Sequence, residues 1–162
     1  MENEARRLIE NLELLPHPEG GYYREIHRDK CHGHFAGLGE RSAATAIYYL
    51  LPAGTFSAFH RIVQDEVWHH YAGGPLRLHL LDPDTGAYRC DLLGRDLAPG
   101  AKPVRVVPGG CWQAAEPLTD WSLVGCTVAP AFEFVDFTLA RRADLRGRFP
   151  AQGELIDRLC SL

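Results

Sequence analysis

The sequence predicts an all-β fold with a short helix at each end. Three observations predict it. Ten short runs rich in β-branched and aromatic residues follow one another between residues 22 and 139, punctuated by Gly, Pro and Asp. A helical repeat of apolar residues occurs only near the two termini. No internal repeat or linker interrupts the chain. Short strands with turns every ~8–12 residues are the pattern of an antiparallel sandwich or barrel. Pattern alone does not separate those two.

The elements follow in order. Residues 4–15 carry Leu8, Ile9, Leu12 and Leu15 at helical spacing; Asn3 can cap this helix, Glu4 suits its first turn and Pro16 stops it. Strands are then expected at about 22–28, 44–51, 56–62, 66–72, 76–82, 87–93, 104–107, 111–116, 122–129 and 132–139. Residues 29–42, polar and glycine-rich, read as a mobile loop. The run Asp82-Pro83-Asp84-Thr85-Gly86 is a turn, because proline presets φ and glycine accepts positive φ. A last helix is expected at about 154–161, with Leu155, Ile156 and Leu159 on one face.

The chain has 162 residues, 46% hydrophobic and 23% charged, a composition that fits one globular domain with a sizeable core. Its formal charge of −4 argues against a nucleic-acid or anionic-membrane partner, both of which need a basic face. No apolar run approaches the ~20 residues of a membrane span, and the charged N-terminus lacks a signal core. A cytoplasmic protein is expected. The five cysteines are odd in number and none fall at C-x-x-C spacing, so neither a disulfide framework nor a zinc knuckle is suggested.

The chemistry concentrates in Gly54 to Gly73, GTFSAFHRIVQDEVWHHYAG. Side chains alternate along a strand, so His60 shares its face with Phe56, Ala58 and Ile62, and Glu66 shares its face with Trp68 and His70, with His69 opposite. An imidazole, a carboxylate, an indole and a second imidazole on an inward face need partners or a ligand. Gln113 in Pro108-Gly109-Gly110-Cys111-Trp112-Gln113 is a further polar candidate. His69 and His79 read as solvent-facing or packing residues. His17, His32 and His34 fall in loops with no evident partner.

The Gly54–Gly73 spacing resembles the first motif of the cupin superfamily: Gly, five residues, His-x-His, three or four residues, Glu, six residues, Gly. Ile62 stands where that motif has its second histidine. The run from Pro108 resembles the second motif, with Gln113 in the place of the ligand histidine and Lys102 in the place of a glycine. More widely, Leu14 to Glu25, Thr45 to Leu51, Phe59 to Ile62, Asp65 to His69, Cys126 to Pro130 and Phe132 to Phe137 resemble one small family of mostly uncharacterised bacterial and fungal cupins. The resemblance implies a single cupin domain over 1–162, an antiparallel jelly-roll β-barrel with short N- and C-terminal helices, and a homodimer, with a fold similar to dTDP-sugar 3,5-epimerases. Those epimerases use a Phe and a Glu on a strand to hold their substrate; Tyr23 and Glu25 fall in those places, while Gly20 replaces an arginine.

Isoleucine donates nothing to a metal and a glutamine amide donates weakly. No cofactor is therefore expected. A weakly held divalent metal would use His60, Glu66 and His70. The leading functional expectation is metal-independent, epimerase- or isomerase-like proton transfer on a small polar, sugar-like molecule. His60, Glu66 and His70 would be catalytic, and Tyr23, Glu25, Trp68 and Gln113 would bind the substrate. A non-catalytic small-molecule-binding cupin and a metal-dependent cupin oxygenase or isomerase are the alternatives.

Overall fold

A computed structural model describes residues 2–95 and 99–162, with the side chains of residues 2 and 3 left aside. Helix α1 (Glu2–Asn11) leads into strands β1 (Leu15–Pro16), β2 (Tyr22–Arg28), β3 (His32–Phe35), β4 (Gly39–Ser42) and β5 (Thr45–Pro52). Strands β6 (Ser57–Arg61), β7 (Glu66–Gly73), β8 (Leu76–Leu81) and β9 (Tyr88–Leu93) follow. Next come β10 (Ala101–Lys102), β11 (Val104–Val107), β12 (Trp112–Pro117), β13 (Trp121–Val128) and β14 (Thr138–Leu139). Helices α2 (Arg142–Arg148) and α3 (Gly153–Leu159) close the chain.

The strands form two six-stranded sheets, ordered β1-β2-β5-β13-β7-β11 and β10-β9-β8-β12-β6-β14. Every pairing is antiparallel except β9 with β10. The sheets face one another as a jelly-roll sandwich without closing into a continuous barrel. Tyr49, Leu51, Trp68, Leu78, Leu80, Ala115 and Val124 fill the space between them. The second sheet buries its outer face under α2 and α3, where Phe59, Leu81 and Ala114 meet Leu145, Phe149, Ile156 and Leu159. Helix α1 covers part of the first sheet, setting Ala5, Leu8, Ile9 and Leu12 over Leu50 and Leu123.

Three expectations are corrected. Helix α1 stops at Asn11, before Pro16. Glu13 takes positive φ (51°), and Leu14 and Glu13 donate backbone hydrogen bonds to Ile9 and Glu10. That double turn ends a helix by itself, with Leu14 and Ile9 packed in one cluster. Asn3, the expected cap, is instead the second residue of α1. Residues 29–42 contain an antiparallel hairpin, β3 with β4, since Gly37 and Gly39 supply the positive φ its turn needs. Residues 132–139 form a 3₁₀ turn over Phe134–Asp136 and only a two-residue strand. Helix α2, unexpected from the sequence, is short and exposed apart from Leu145.

Candidate functional site

Strand β6 carries a bulge. His60 pairs with Gln113 and Ser57 pairs with Ala115, so three steps on β6 oppose two on β12. The extra residue breaks the expected alternation and turns both Ser57 and His60 inward. Phe59 points outward into the helix-covered core, and Phe56 packs with that outer cluster. Ala58, off the ladder, donates its N–H to the Glu19 carbonyl at 2.7 Å. Its own carbonyl takes the His60 Nδ1 proton at 2.8 Å. Neutral His60 therefore presents Nε2 as an acceptor.

A cavity of about 290 Å³ opens between the sheets beside His60. Its wall includes His17, Glu19, Tyr23, Glu25, Tyr49, Ile62, Glu66, Cys126 and the cluster Phe132, Phe134 and Phe137. His60, Glu66, Tyr23 and Glu25 thus lie on one cavity. Tyr23 and Glu25 reach it because β2 pairs them with Tyr49 and Ile47, whose side chains also line it.

The other three candidates lie elsewhere. Trp68 and Gln113 are buried behind Glu66. The indole N–H of Trp68 donates to Gln113 Oε1 at 3.1 Å, and Gln113 Nε2 donates to Glu66 Oε2 at 2.6 Å. An indole can only donate, so the amide orientation is settled and Gln113 is fully engaged. His70 shares the inward face of β7 with Glu66, but four residues at ~3.3 Å each carry it ~13 Å along the strand. There, beyond Trp68, its Nε2 meets the Gly74 carbonyl at 2.9 Å. Alternation fixes a face, not a depth.

Two wall residues were missed: His17 and Glu19. Gly20, at φ 109°, lets their turn press against β6; a Cβ there would stand 2.1 Å from the Phe56 carbonyl oxygen. Glu19 Oε2 lies 3.2 Å from His60 Nε2 and 3.5 Å from His17 Nδ1. Its Oε1 accepts the Ser57 hydroxyl at 2.8 Å. The Pro18-Glu19-Gly20-Gly21 turn was the available signal: paired glycines mark close backbone approach beside a carboxylate.

The electrostatics follow from burial. Desolvation pushes both Glu19 and Glu66 above the ordinary carboxylate value, against the pull of His17 on Glu19 and of His60 on Glu66. Burial also lowers the pKa of His60, opposed by Glu66. With Nδ1 turned to the Ala58 carbonyl, His60 Nε2 stands 3.2 Å from Glu19 Oε2.

The site does not fit a resident metal. Ile62 offers no donor, Gln113 is spent on Trp68 and Glu66, and His60 is held by Ala58 and Glu19. Among the described residues no three His, Cys, Asp or Glu side chains are arranged to hold a metal ion.

The two facing sheets and the cavity between them define a cupin-type jelly roll. The chain belongs to the Cupin superfamily (DUF985), whose pattern matches residues 6–140. It is similar to the uncharacterized protein YML079W of Saccharomyces cerevisiae, 30% identical over 158 residues, which span 88% of this chain and 78% of that protein. Protein SO0799 from Shewanella oneidensis superposes with a TM-score of 0.88 at 36% identity, over 96% of both chains. A hypothetical protein from Leishmania major gives 0.90 at 32% identity, over 96% of this chain and 98% of that one. Oxalate decarboxylase from Bacillus subtilis shares the fold alone, with a TM-score of 0.57 at 15% identity, over 89% of this chain and 36% of that chain. No described helix is long and apolar enough to cross a membrane.

Proposed function

We propose that the cavity binds a small polar, sugar-like molecule and moves a proton on the carbon next to its carbonyl, without a metal. One observation carries this reading. A buried imidazole, its tautomer set by the Ala58 carbonyl, faces a buried carboxyl 3.2 Å away on the cavity wall. Such a pair exchanges a proton near neutral pH. In the forward step the C–H bond breaks, the proton passes to His60 Nε2, and the electron pair moves onto the carbonyl oxygen. Reversal on the same carbon or its neighbour gives an isomer. His17 Nδ1 accepts the Glu19 amide at 3.3 Å, so its proton sits on Nε2, a donor for that oxygen. Glu66, held by Gln113, biases the charge on His60. Tyr23 and Glu25 hold the substrate at the wall. Trp68 acts through Gln113 and not by touching substrate.

The volume supports a small ligand, since it sits at the lower end of the ~300–1,000 Å³ of typical pockets. The aromatic wall also favours the non-catalytic binding reading, and one experiment separates the two. Candidate sugars and keto compounds that raise the melting temperature are incubated with the protein in D2O, with a chelator present, and followed by NMR. Loss of the proton next to the carbonyl, abolished by His60→Asn, is the expected result. Stabilisation without exchange leaves a binding protein.

We also propose a homodimer, formed where β1 and β2 leave a sheet edge beside exposed Leu15 and Ile26.

A further inference from the structure

The charges and rings around the cavity restrict the kind of molecule it admits. Two guanidiniums line it among the described residues, those of Arg24 and Arg28. Both are paired with carboxylates. The Arg28 guanidinium donates to Glu25 at 2.9 and 3.0 Å, to Glu133 at 2.7 Å and to the Phe132 carbonyl at 3.1 Å. Arg24 pairs with Glu13. The lining thus sets four carboxyls, Glu19, Glu25, Glu66 and Glu133, against two guanidiniums that are each already paired. Deeper in, Glu19 and Glu66 are both buried against the cavity. An anion entering here would meet two buried carboxyls, with the nearby guanidiniums already paired to other carboxylates, a costly arrangement in a medium of low dielectric.

The rings add the opposite preference. Phe132, Phe134 and Phe137 contact one another with centroids 5.0 to 6.3 Å apart, at interplanar angles of 75° to 79°. Tyr23 stands edge-on to His17 at 4.5 Å, and His17 in turn stacks on Phe134 at 6.1 Å. Phe134 and Phe137 each stack one face on an imidazole, His17 and His60, and the other face of such a ring attracts a cation. Aromatic walls with carboxyls behind them form a receptor for positive charge.

We infer that the cavity selects a small ligand carrying a cationic nitrogen, an amine or quaternary ammonium on a polar body, seated between the phenylalanine cluster and the carboxyls of Glu19 and Glu66. This rests on the reading that the cavity is the ligand site, and it narrows the substrate of the proposed proton transfer to an amino-substituted carbonyl compound.

The test uses the full chain and three matched probes, D-glucosamine, D-glucose and D-glucuronate, with choline as a fourth that cannot lose its charge. Binding is measured by calorimetry at neutral pH and low salt, and proton exchange in D2O by NMR. Glucosamine is expected to bind at least ~10-fold tighter than glucose, choline to bind, and glucuronate not to bind. Glu66→Gln, which keeps the Gln113 contact in shape, should remove most of the preference for glucosamine over glucose. Phe137→Leu should weaken choline more than glucose. Glucuronate binding as tightly as glucosamine overturns the inference, as does failure of both glucosamine and choline to bind at millimolar concentration. If glucose binds and exchanges its proton while glucosamine does neither, the charge preference fails and the proton-transfer reading survives. If glucosamine binds with the expected preference but never exchanges, the reverse holds.

Discussion

Two buried histidines in this protein each face a glutamate, one in the cavity between the sheets and one in an open cleft on the outer side. His60 meets Glu19 at 3.2 Å inside the sandwich. His79 meets Glu116 at 3.1 Å on the outer side of the second sheet, near the turn that precedes α3. The surroundings differ. At His79 both ring nitrogens are spent, since Nδ1 contacts the Tyr88 hydroxyl at 2.9 Å. Burial resists ionisation of Glu116, but hydrogen bonds from Arg158 and His79 outweigh it and hold its pKa low. At His60 no arginine intervenes, and burial raises both nearby carboxyls. A cation completes the contact at His79 and braces it; none does so at His60, where the proposed proton transfer is placed.

The largest expected effect sharpens that contrast. His60→Asn should lower proton exchange on a converted ligand by ~100-fold or more while the far-UV spectrum is kept. His79→Asn should leave exchange nearly unchanged and lower the melting temperature instead. Equal losses from both variants would break the distinction.

Next comes stability at fixed pH. Gln113→Leu strips Glu66 and Trp68 of their shared partner and should cost about 1–3 kcal/mol by urea titration. Glu116→Gln should cost a similar amount, because it leaves Arg158 without its carboxylate.

The pH profiles should then run in opposite directions. Glu19 and Glu66 have folded pKa values above their ordinary 4.5. The folded state therefore binds more protons than the unfolded one above pH 4.5, and stability falls as pH rises from there through the folded values. Glu116 has a folded pKa below 4.5. Its contribution is complete above 4.5 and disappears as pH falls through the folded value. Glu19→Gln should flatten the decline on the alkaline side of 4.5; Glu116→Gln should flatten the loss on the acid side. Urea titrations across that range check both slopes.

The smallest expected effect is that of a chelator. Dialysis against EDTA should leave the melting temperature and any proton exchange unchanged, given Ile62 and an engaged Gln113.

Much of the fold was legible. The runs expected at 44–51 and 66–72 became β5 and β7, each within a residue of its expected ends. Where local rules failed, a longer-range fact had intervened. Residues 29–42 look like a loop because their glycines mask a hairpin whose strands need little side-chain packing. His60 was found because its spacing to Glu66 is local. Glu19 lies 38 residues from its partner Ser57, and no periodicity connects two such positions. His70 was placed on the right face but at the wrong depth, because a sequence reports orientation along a strand more readily than which end of it opens.

The bulge in β6 changes what kind of alteration this site can absorb. Ala58 serves it through its backbone, accepting a hydrogen bond from His60 Nδ1–H on its carbonyl and donating its N–H to the Glu19 carbonyl. Any residue small enough for that buried position would do the same, so the identity at 58 carries little information. The count of residues between Ser57 and His60 carries a great deal. Removing one would return β6 to simple alternation, close the ladder over the freed carbonyl and leave the imidazole to choose its own tautomer. At this point in the chain, length is the inherited instruction and lettering is nearly free.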